Sequence, residues 1–323
     1  MYHSFYHLQR SPFGISPEPD FFYPTSCHNE ALAALYHAVR EHKGFAVLTG
    51  EVGTGKTLLV RCLMELLRKN DDVSYAYVFN GLLSPPEFLQ YIVADFGLPT
   101  AGKNKSQLLV DLSKYVVFRG TKGLTTVLIV DEAHHLSVEI LEEIRLLTNL
   151  ETSHDKLLQV LLVGQSELDE KLDSFDLRQL KQRIAHRARL KPLTLDETQG
   201  YIARRLEVAG ADGSVHSLFP PETVAGIYRY AHGIPRLINT LSDNALISAY
   251  ARQMQFVTPE IIDSTATDLC LEVTATHRKT ESGTDRETEA IRAARTLLEL
   301  LAALQNKQTS KDLPLQPTAG GTV

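Results

Sequence analysis

One eight-residue segment constrains this chain more than any other. Residues 50–57 read GEVGTGKT, which satisfies the pattern G-x-x-x-x-G-K-[ST] of a phosphate-binding loop. An apolar run precedes it at residues 45–49, and a leucine-rich segment with helical spacing follows at residues 58–67. A loop between a buried strand and a helix turns backbone N–H groups toward phosphate oxygens. The sequence therefore predicts a site for ATP.

The ligand contacts are assigned residue by residue. Lys56 is expected to reach the β- and γ-phosphates, and the Thr57 hydroxyl is expected to bind Mg²⁺. The other predicted nucleotide contacts are Gly50, Glu51, Val52, Gly53, Thr54, Gly55 and Leu58. A chance glycine-rich turn is the competing interpretation, and the order of strand, loop and helix argues against it.

A second motif follows a second apolar run. Residues 127–130 read VLIV and are followed by Asp131 and Glu132, the Walker B pattern. Asp131 is expected to hold Mg²⁺, and Glu132 to act as the general base that activates water. The alternative is an acidic strand end that merely faces solvent. Residues 131–134 also spell the DEAH box of helicases. Such an enzyme needs a second RecA-like domain, which we do not expect in 323 residues with one phosphate loop.

The periodicity of the chain predicts an α/β domain followed by helices. Between residues 28 and 193, helical segments alternate with near-continuous apolar strands, which indicates a parallel sheet covered on both faces. A capping box at residues 194–197, TLDE, opens a purely helical region. This architecture is typical of an AAA-type nucleotide-binding domain with an all-α lid. We predict boundaries at 1–27, 28–193, 194–271 and 272–323.

Four further residues are candidates for the catalytic site. Gln165 ends the strand after the Walker B motif, where a polar sensor would face the attacking water. Arg236 begins a lid helix within GIPR and would contact phosphate from the lid side. Residues 177–187 hold several arginines just before the expected last strand. Among them, Arg183 is the first candidate for an arginine finger that acts on a neighbouring subunit, and Arg178 is the second. The alternatives are an ordinary strand end and a solvated basic face. A finger implies a homo-oligomer with ATP sites at its subunit interfaces.

Composition limits the class of protein. The net charge is −6, and the sequence pI of about 6.1 argues against a strongly basic nucleic-acid-binding surface. Cys27, Cys62 and Cys270 form no C-x-x-C pair, which excludes a zinc ribbon and favours a reducing compartment. The sequence shows neither a signal peptide nor a run of 18 apolar residues. We expect a cytoplasmic protein without a transmembrane segment, or one held at the inner membrane through a partner.

The segments around these motifs resemble one family, the ExeA/GspA-type ATPases of the general secretion pathway. HLQRSPF at residues 7–13 and PEPDFFY at residues 17–23 resemble its N-terminal signature. The other similar segments are residues 28–32, 43–45, 48–51, 161–165 and 177–180. The resemblance covers about residues 1–270. It implies an ATPase that drives or licenses assembly of an envelope complex through a protein partner. Close relatives serve pilus and exopolysaccharide systems, and a distant branch regulates DNA transposition.

The C-terminal part departs from that family. Its secretion-pathway members continue into a membrane-spanning helix and a peptidoglycan-binding domain, and neither is recognisable here. We predict instead a linker, an amphipathic helix at about 285–305 with apolar residues at heptad spacing, and a disordered tail. The helix is expected to pack on the lid or to dock on a partner.

Three functions remain open from the sequence. The first is an oligomeric ATPase that remodels an envelope assembly. The second is a DNA-associated ATPase of the transposition-regulator or ORC-like type, supported by a basic cluster: Lys181, Arg183, Arg187, Arg189 and Lys191. The third is a nucleotide-dependent switch with little turnover, which the intact Glu132 argues against.

Overall fold

Parallel strand pairing brings the ends of the predicted motifs to one edge of a sheet. The computed structural model describes residues 2–79, 81–151, 155–211 and 218–271. Within these residues, the strands are β1 (Phe45–Gly50), β2 (Val73–Val78), β3 (Thr125–Val130), β4 (Leu158–Gly164) and β5 (Ile184–Leu190). They pair in parallel in the order β2-β3-β4-β1-β5. The predicted parallel sheet is confirmed.

The apolar strands occupy the middle of the sheet. Every residue of β1, β3 and β4 is buried. Leu128 and Val130 of β3 belong to a core that the sheet shares with the following helices. Val127 and Ile129 are also fully buried, and strand alternation directs them to the other face. Burial on both faces explains why these strands read as uninterrupted apolar runs.

Helices connect and cover the strands. They are α1 (Tyr2–Phe5), α2 (Ser26–Arg40), α3 (Lys56–Arg68), α4 (Pro85–Asp95), α5 (Lys105–Thr121), α6 (Val138–Leu147), α7 (Ser166–Leu172), α8 (Arg178–Lys181), α9 (Leu195–Val208), α10 (Pro221–Ala231), α11 (Pro235–Ala251) and α12 (Pro259–Asp268). In the described ranges, none of them combines the length and apolarity needed to cross a bilayer. The helix predicted at 285–305 lies outside the described residues.

A capping box starts the helical region, as predicted. The Thr194 hydroxyl accepts a hydrogen bond from the Glu197 N–H at 3.2 Å. The Glu197 carboxylate accepts one from the Thr194 N–H at 2.8 Å. Two N–H groups that an α-helix leaves unpaired at its start are thereby satisfied. Helices α9 to α12, which we call the lid, then pack around a second hydrophobic core.

The N-terminal residues form part of the lid core. Tyr6, Leu8 and Phe13 are buried among the lid helices. The Phe13 ring meets the Phe219 ring edge-on, with 5.6 Å between centroids. We call residues 8–23 the strap, because they run from this core toward the phosphate loop. The strap is thus held by apolar packing, although its sequence has no helical or strand periodicity.

The basic cluster differs from its predicted position. The sequence places several arginines ahead of the last strand, whereas β5 already begins at Ile184 and contains Arg187 and Arg189. β5 is an edge strand, and its first six residues alternate between intermediate and exposed positions. Charged residues on an exposed edge discourage pairing with another chain. Because of this alternation, the segment lacks the apolar run by which the central strands are recognised.

Replacing Phe13 with alanine should test how much the strap contributes to the lid. Phe13 is 1% exposed, and truncating a fully buried phenylalanine typically costs about 3–5 kcal/mol. We expect a loss of that order in the free energy of unfolding, measured by chemical denaturation. Ile15→Ala is the matched control, because Ile15 is 77% exposed and surface changes usually stay within about 0.5 kcal/mol. Equal stability of the two variants would contradict the packing described.

Candidate nucleotide site

The phosphate loop is shaped by close contact with the lid. β1 ends at Gly50 and α3 begins at Lys56, so the loop spans the turn between them. Gly53 has φ of +82°, and a Cβ placed there would lie 2.7 Å from Cβ of Arg236. The Gly53 carbonyl also accepts a hydrogen bond from the Arg236 N–H at 3.2 Å. A residue with a Cβ would be strained at this φ and would clash with Arg236. Position 53 therefore requires glycine because of the lid as well as because of the loop.

Lys56 lies inside the loop. Its Nζ donates hydrogen bonds to the carbonyl oxygens of Gly50 at 2.9 Å and Glu51 at 2.8 Å. Burial lowers the pKa of Lys56, and the nearby carboxylates of Glu132 and Asp131 oppose that shift. The ammonium group is therefore positioned beside the loop carbonyls with a reduced hydration shell. Such a cation attracts phosphate more strongly than a solvated one.

Asp131 and Thr57 form an oxygen-rich corner. The Thr57 hydroxyl donates a hydrogen bond to the Asp131 carboxylate at 3.0 Å, and the Tyr77 hydroxyl donates another at 3.1 Å. The second Asp131 oxygen accepts the Glu132 N–H at 2.9 Å. Burial and the adjacent Asp131 raise the pKa of Tyr77, which keeps the phenol protonated and donating. A hydroxyl beside a carboxylate is the kind of oxygen donor set that Mg²⁺ prefers.

Glu132 has an unusual backbone conformation for its residue type. Its φ is +52°, in the left-handed region, which is uncommon outside glycine. One carboxylate oxygen of Glu132 lies 3.4 Å from Nδ1 of His134. Burial is the main cause that lowers the pKa of His134, and His135 adds to the shift. The turn after β3 thus directs the Glu132 carboxylate into the space beside the phosphate loop.

A cavity of about 340 Å³ joins the loop, the strap and the lid. Lys56, Thr57 and Glu132 line it together with Gln165 and Arg236. Gly53, Gly55, Val52 and Leu58 also contribute to its wall. Strap residues close another side: Gly14, Ile15, Ser16, Pro17 and Glu18. The predicted base, sensor and lid arginine therefore surround one space.

Thr54 and Glu51, two of the predicted nucleotide contacts, are hydrogen-bonded to each other within the loop. The Thr54 hydroxyl donates a hydrogen bond to the Glu51 carbonyl at 2.8 Å, and Thr54 is fully buried. Val52 is 52% exposed at the tip. Thr54 and Glu51 thus stabilise the curvature of the loop, whereas Val52 presents an apolar side chain to the cavity and to solvent.

A buried arginine connects the strap to the lid, and no sequence pattern predicted this role. Arg205 of α9 is 4% exposed and donates to the carbonyl oxygens of Pro12 and Gly14 and to the Tyr201 hydroxyl. Its guanidinium also lies 4.5 Å from the centroid of the Phe21 ring. The Tyr201 hydroxyl in turn donates to Asn239 at 2.9 Å. This set satisfies a buried cation with carbonyl oxygens and aromatic faces.

His28 supports the phosphate loop from α2. Its Nε2 lies 3.3 Å from the Thr54 carbonyl oxygen, and its Nδ1 lies 2.7 Å from the Thr25 hydroxyl. Because a carbonyl only accepts, Nε2 carries the proton and Nδ1 accepts from Thr25. Burial lowers the pKa of His28, which favours this neutral form. His28 begins residues 28–32, one of the segments that resemble the ExeA/GspA type, but no sequence pattern assigned it this role.

The arginine-finger candidates have different surroundings. Arg183 donates to the Arg145 carbonyl at 2.9 Å and to the Thr148 hydroxyl at 3.0 Å, at the C-terminal end of α6. The Arg178 side chain is exposed, and its guanidinium lies 4.2 Å from the centroid of the exposed Phe175 ring. Neither arginine lines the cavity.

Comparison with known proteins places this fold among the AAA domains. A model described as an AAA domain matches residues 39–172. The chain is 44% identical over 253 residues to general secretion pathway protein A of Aeromonas hydrophila, covering 78% of this chain and 45% of that protein. It is 33% identical over 131 residues to the ATP-dependent target DNA activator B of Escherichia phage Mu, covering 41% of this chain and 39% of that protein.

The solved structures agree at the level of fold. Cdc6p from Pyrobaculum aerophilum has a TM-score of 0.61 and 20% identity, over 80% of this chain and 70% of that one. The chain spans less than half the length of the two curated relatives. The activities of those whole proteins are therefore not assigned to this chain. Residues 39–172 form an AAA domain, and the chain is similar to the ExeA/GspA type, represented by general secretion pathway protein A, over 78% of its own length.

Proposed function

We propose that this protein binds and hydrolyses ATP. The observation that carries the proposal is the arrangement of Lys56, Thr57, Glu132, Gln165 and Arg236 around one cavity. A nucleotide-binding protein needs the first two residues. A hydrolase also needs a carboxylate near the terminal phosphate, and Glu132 is suited to accept a proton from the attacking water.

The residues present fit a magnesium ion. Thr57 and Asp131 would hold it, since their oxygens already face each other at 3.0 Å. Bound there, Mg²⁺ would neutralise phosphate charge during transfer of the terminal phosphoryl group. Lys56 would bind the same phosphates from the loop, and Arg236 would contact them from the lid. Gln165 would orient the attacking water.

We further propose that the active form is a homo-oligomer. An arginine from a second copy would then complete each site. The exposed Arg178 is better suited to this role than Arg183, whose guanidinium is engaged at the end of α6. Phe175, which is 75% exposed, packs against Arg178 and would reduce the freedom of its side chain.

The cellular role we propose follows the more extensive relative. Identity of 44% extends over 253 residues, which is more of the chain than residues 39–172 that match the AAA domain. The relative's name associates it with a general secretion pathway. We infer that the ATPase drives or regulates assembly of an envelope complex of the secretion, pilus or polysaccharide type, from the cytoplasmic side and through a protein partner.

DNA association is the second candidate function. It is favoured by the identity of 33% to a protein named as a target DNA activator. The basic cluster supports it weakly, because Lys181 pairs with Asp173 at 2.9 Å and Arg187 approaches Asp169 and Asp173 at 3.6 Å. These pairs reduce the positive charge available to phosphates. Affinity for duplex DNA that falls steeply as salt is raised would favour this function.

Lys56→Ala should abolish ATP binding. The change removes the cation that the loop places beside the phosphates, and no other lysine lines the cavity among the described residues. Calorimetric titration with ATP measures the effect. Lys69→Ala, just beyond α3, is the control and should bind like the wild type. Unchanged affinity in the Lys56 variant would show that the phosphates bind elsewhere.

Glu132→Gln should bind ATP but turn it over slowly. The amide has nearly the same shape as the carboxylate but is not a base, and general base catalysis typically contributes about 10²–10⁴-fold in rate. Release of phosphate, measured at saturating ATP, should fall by that order while affinity stays close to wild type. Wild-type turnover in this variant would require another base, and His134 or His135 would be examined next.

The arginine variants test assembly and chemistry together. If a finger acts between subunits, specific activity should rise with protein concentration and then level off. Arg178→Ala should bind ATP and assemble normally, with turnover reduced by about 10³–10⁵-fold if Arg178 is a full finger. Mixing it with Lys56→Ala protein should restore part of the activity, because one hybrid interface is complete.

Two further variants separate the alternatives. Arg183→Ala should lower the free energy of unfolding, because it removes the hydrogen bonds to the end of α6. It should keep wild-type turnover if Arg178 is the finger. Arg187→Ala, which removes a residue paired with Asp169 and Asp173, is the control for loss of a positive charge. Activity independent of concentration, with all three arginine variants fully active, would refute the oligomeric mechanism.

A further inference from the structure

A second group of metal-ligating side chains lies on the turn after β3. Glu132, His134 and His135 each offer one ligand atom, and these atoms all lie within 4.8 Å of one another. The two imidazole rings are adjacent, with 3.9 Å between centroids. The group is distinct from the oxygen corner formed by Thr57 and Asp131. In the proposed ATP hydrolysis Glu132 is the general base, and neither histidine has a role.

Two polar atoms of this group are buried without a hydrogen-bond partner among the described residues. They are Oε2 of Glu132 and Nδ1 of His134. The His134 side chain is only 8% exposed. A buried polar atom left unsatisfied typically costs about 1–3 kcal/mol. A ligand that contacts both atoms would remove this cost.

The spacing of the pair suits a tetrahedral ion. Oε2 of Glu132 and Nδ1 of His134 are 3.4 Å apart. Two ligands of a tetrahedral zinc ion, each bound at about 2.0–2.1 Å, lie about 3.4 Å apart. Two imidazoles and one carboxylate also favour Zn²⁺ and similar transition metals over Mg²⁺, which prefers oxygen. With three protein ligands, the fourth position remains for water.

The turn is held rigidly enough to preserve this arrangement. The Lys171 ammonium donates to the carbonyl oxygens of His134 at 2.6 Å and Leu136 at 2.8 Å. The His135 N–H donates to the Glu132 carbonyl at 3.0 Å. A Cβ at Gly81 would come within 2.7 Å of Cβ of His135, so neighbouring backbone packs directly against the turn. The ligands therefore need little reorganisation to bind a metal.

We propose that Glu132, His134 and His135 form a binding site for Zn²⁺ or a similar transition-metal ion, and that the bound ion inhibits ATP turnover. A carboxylate that ligates a metal is less basic and is fixed in orientation. The ion would therefore withdraw Glu132 from the attacking water while leaving Lys56 and the phosphate loop intact. The inhibitory part rests on the proposed ATPase function. The metal site itself does not.

Metal binding is measured directly on the full-length protein without a histidine tag and without nucleotide. Co²⁺ is titrated in excess Mg²⁺, and we expect the visible d–d absorption of four-coordinate Co²⁺, which Zn²⁺ then displaces. His134→Ala and His135→Ala should each weaken Zn²⁺ binding by more than the 10–100-fold that loss of an indirect partner typically causes. His37→Ala is the control, since His37 is exposed and its ring contacts the ring of His186 rather than the turn after β3. If His134→Ala fails to fold, the exposed His135 still tests the site.

Turnover is measured separately, with ATP and Mg²⁺ saturating. Zn²⁺ should lower kcat in the wild type without weakening ATP binding, and a zinc-selective chelator should restore it. The inhibition should be lost in His135→Ala. Absence of the Co²⁺ spectrum, or equal Zn²⁺ affinity in wild type and both histidine variants, would overturn the metal site. Zn²⁺ binding without any effect on kcat would overturn the inhibitory role of the ion. Wild-type turnover in Glu132→Gln would contradict only the assignment of Glu132 as the base.

Discussion

Parallel pairing of the central strands is the constraint on which the site depends. In a parallel sheet, every strand ends at the same edge. Thr49 of β1 pairs with Gly164 of β4, and Val130 of β3 pairs with Leu162. The residues that follow these strand ends are therefore neighbours in space although they are far apart in sequence. The chain needs no long-range side-chain recognition to bring the phosphate loop, Asp131 and Gln165 together, because the register does so.

The helical region adds what the sheet cannot supply. Gly53 and Arg236 share a backbone hydrogen bond of 3.2 Å, so the lid begins in direct contact with the loop. Arg205 extends that contact to the strap through carbonyl oxygens and the Phe21 ring. Among the described residues, no carboxylate accepts a hydrogen bond from the Arg205 side chain, so this cation depends on the position of the strap backbone. The wall of the cavity on that side is thus made by the lid and the strap jointly.

The central sheet and the loop were predictable because their signals are local. Apolar runs identify β1, β3 and β4, and the spacing of the glycines identifies the loop. β5 was placed too late in the chain because an edge strand carrying Arg187 and Arg189 has no apolar run. The contacts of His28, Tyr77 and Arg205 were not predictable. Each depends on a partner 26 to 193 residues away, and only tertiary packing specifies such pairs.

The position of the strap has a mechanical consequence. Phe13 belongs to the lid core, while Gly14 to Glu18 form a wall of the nucleotide cavity. A rotation of the lid about the phosphate loop would move that wall with it, since the intervening chain is too short to absorb the displacement. If ATP binds in this cavity as proposed, lid orientation and ATP affinity are thermodynamically linked, and the linkage acts in both directions. A protein that gripped the outer surface of the lid would alter the affinity for ATP, and ATP would alter the strength of that grip.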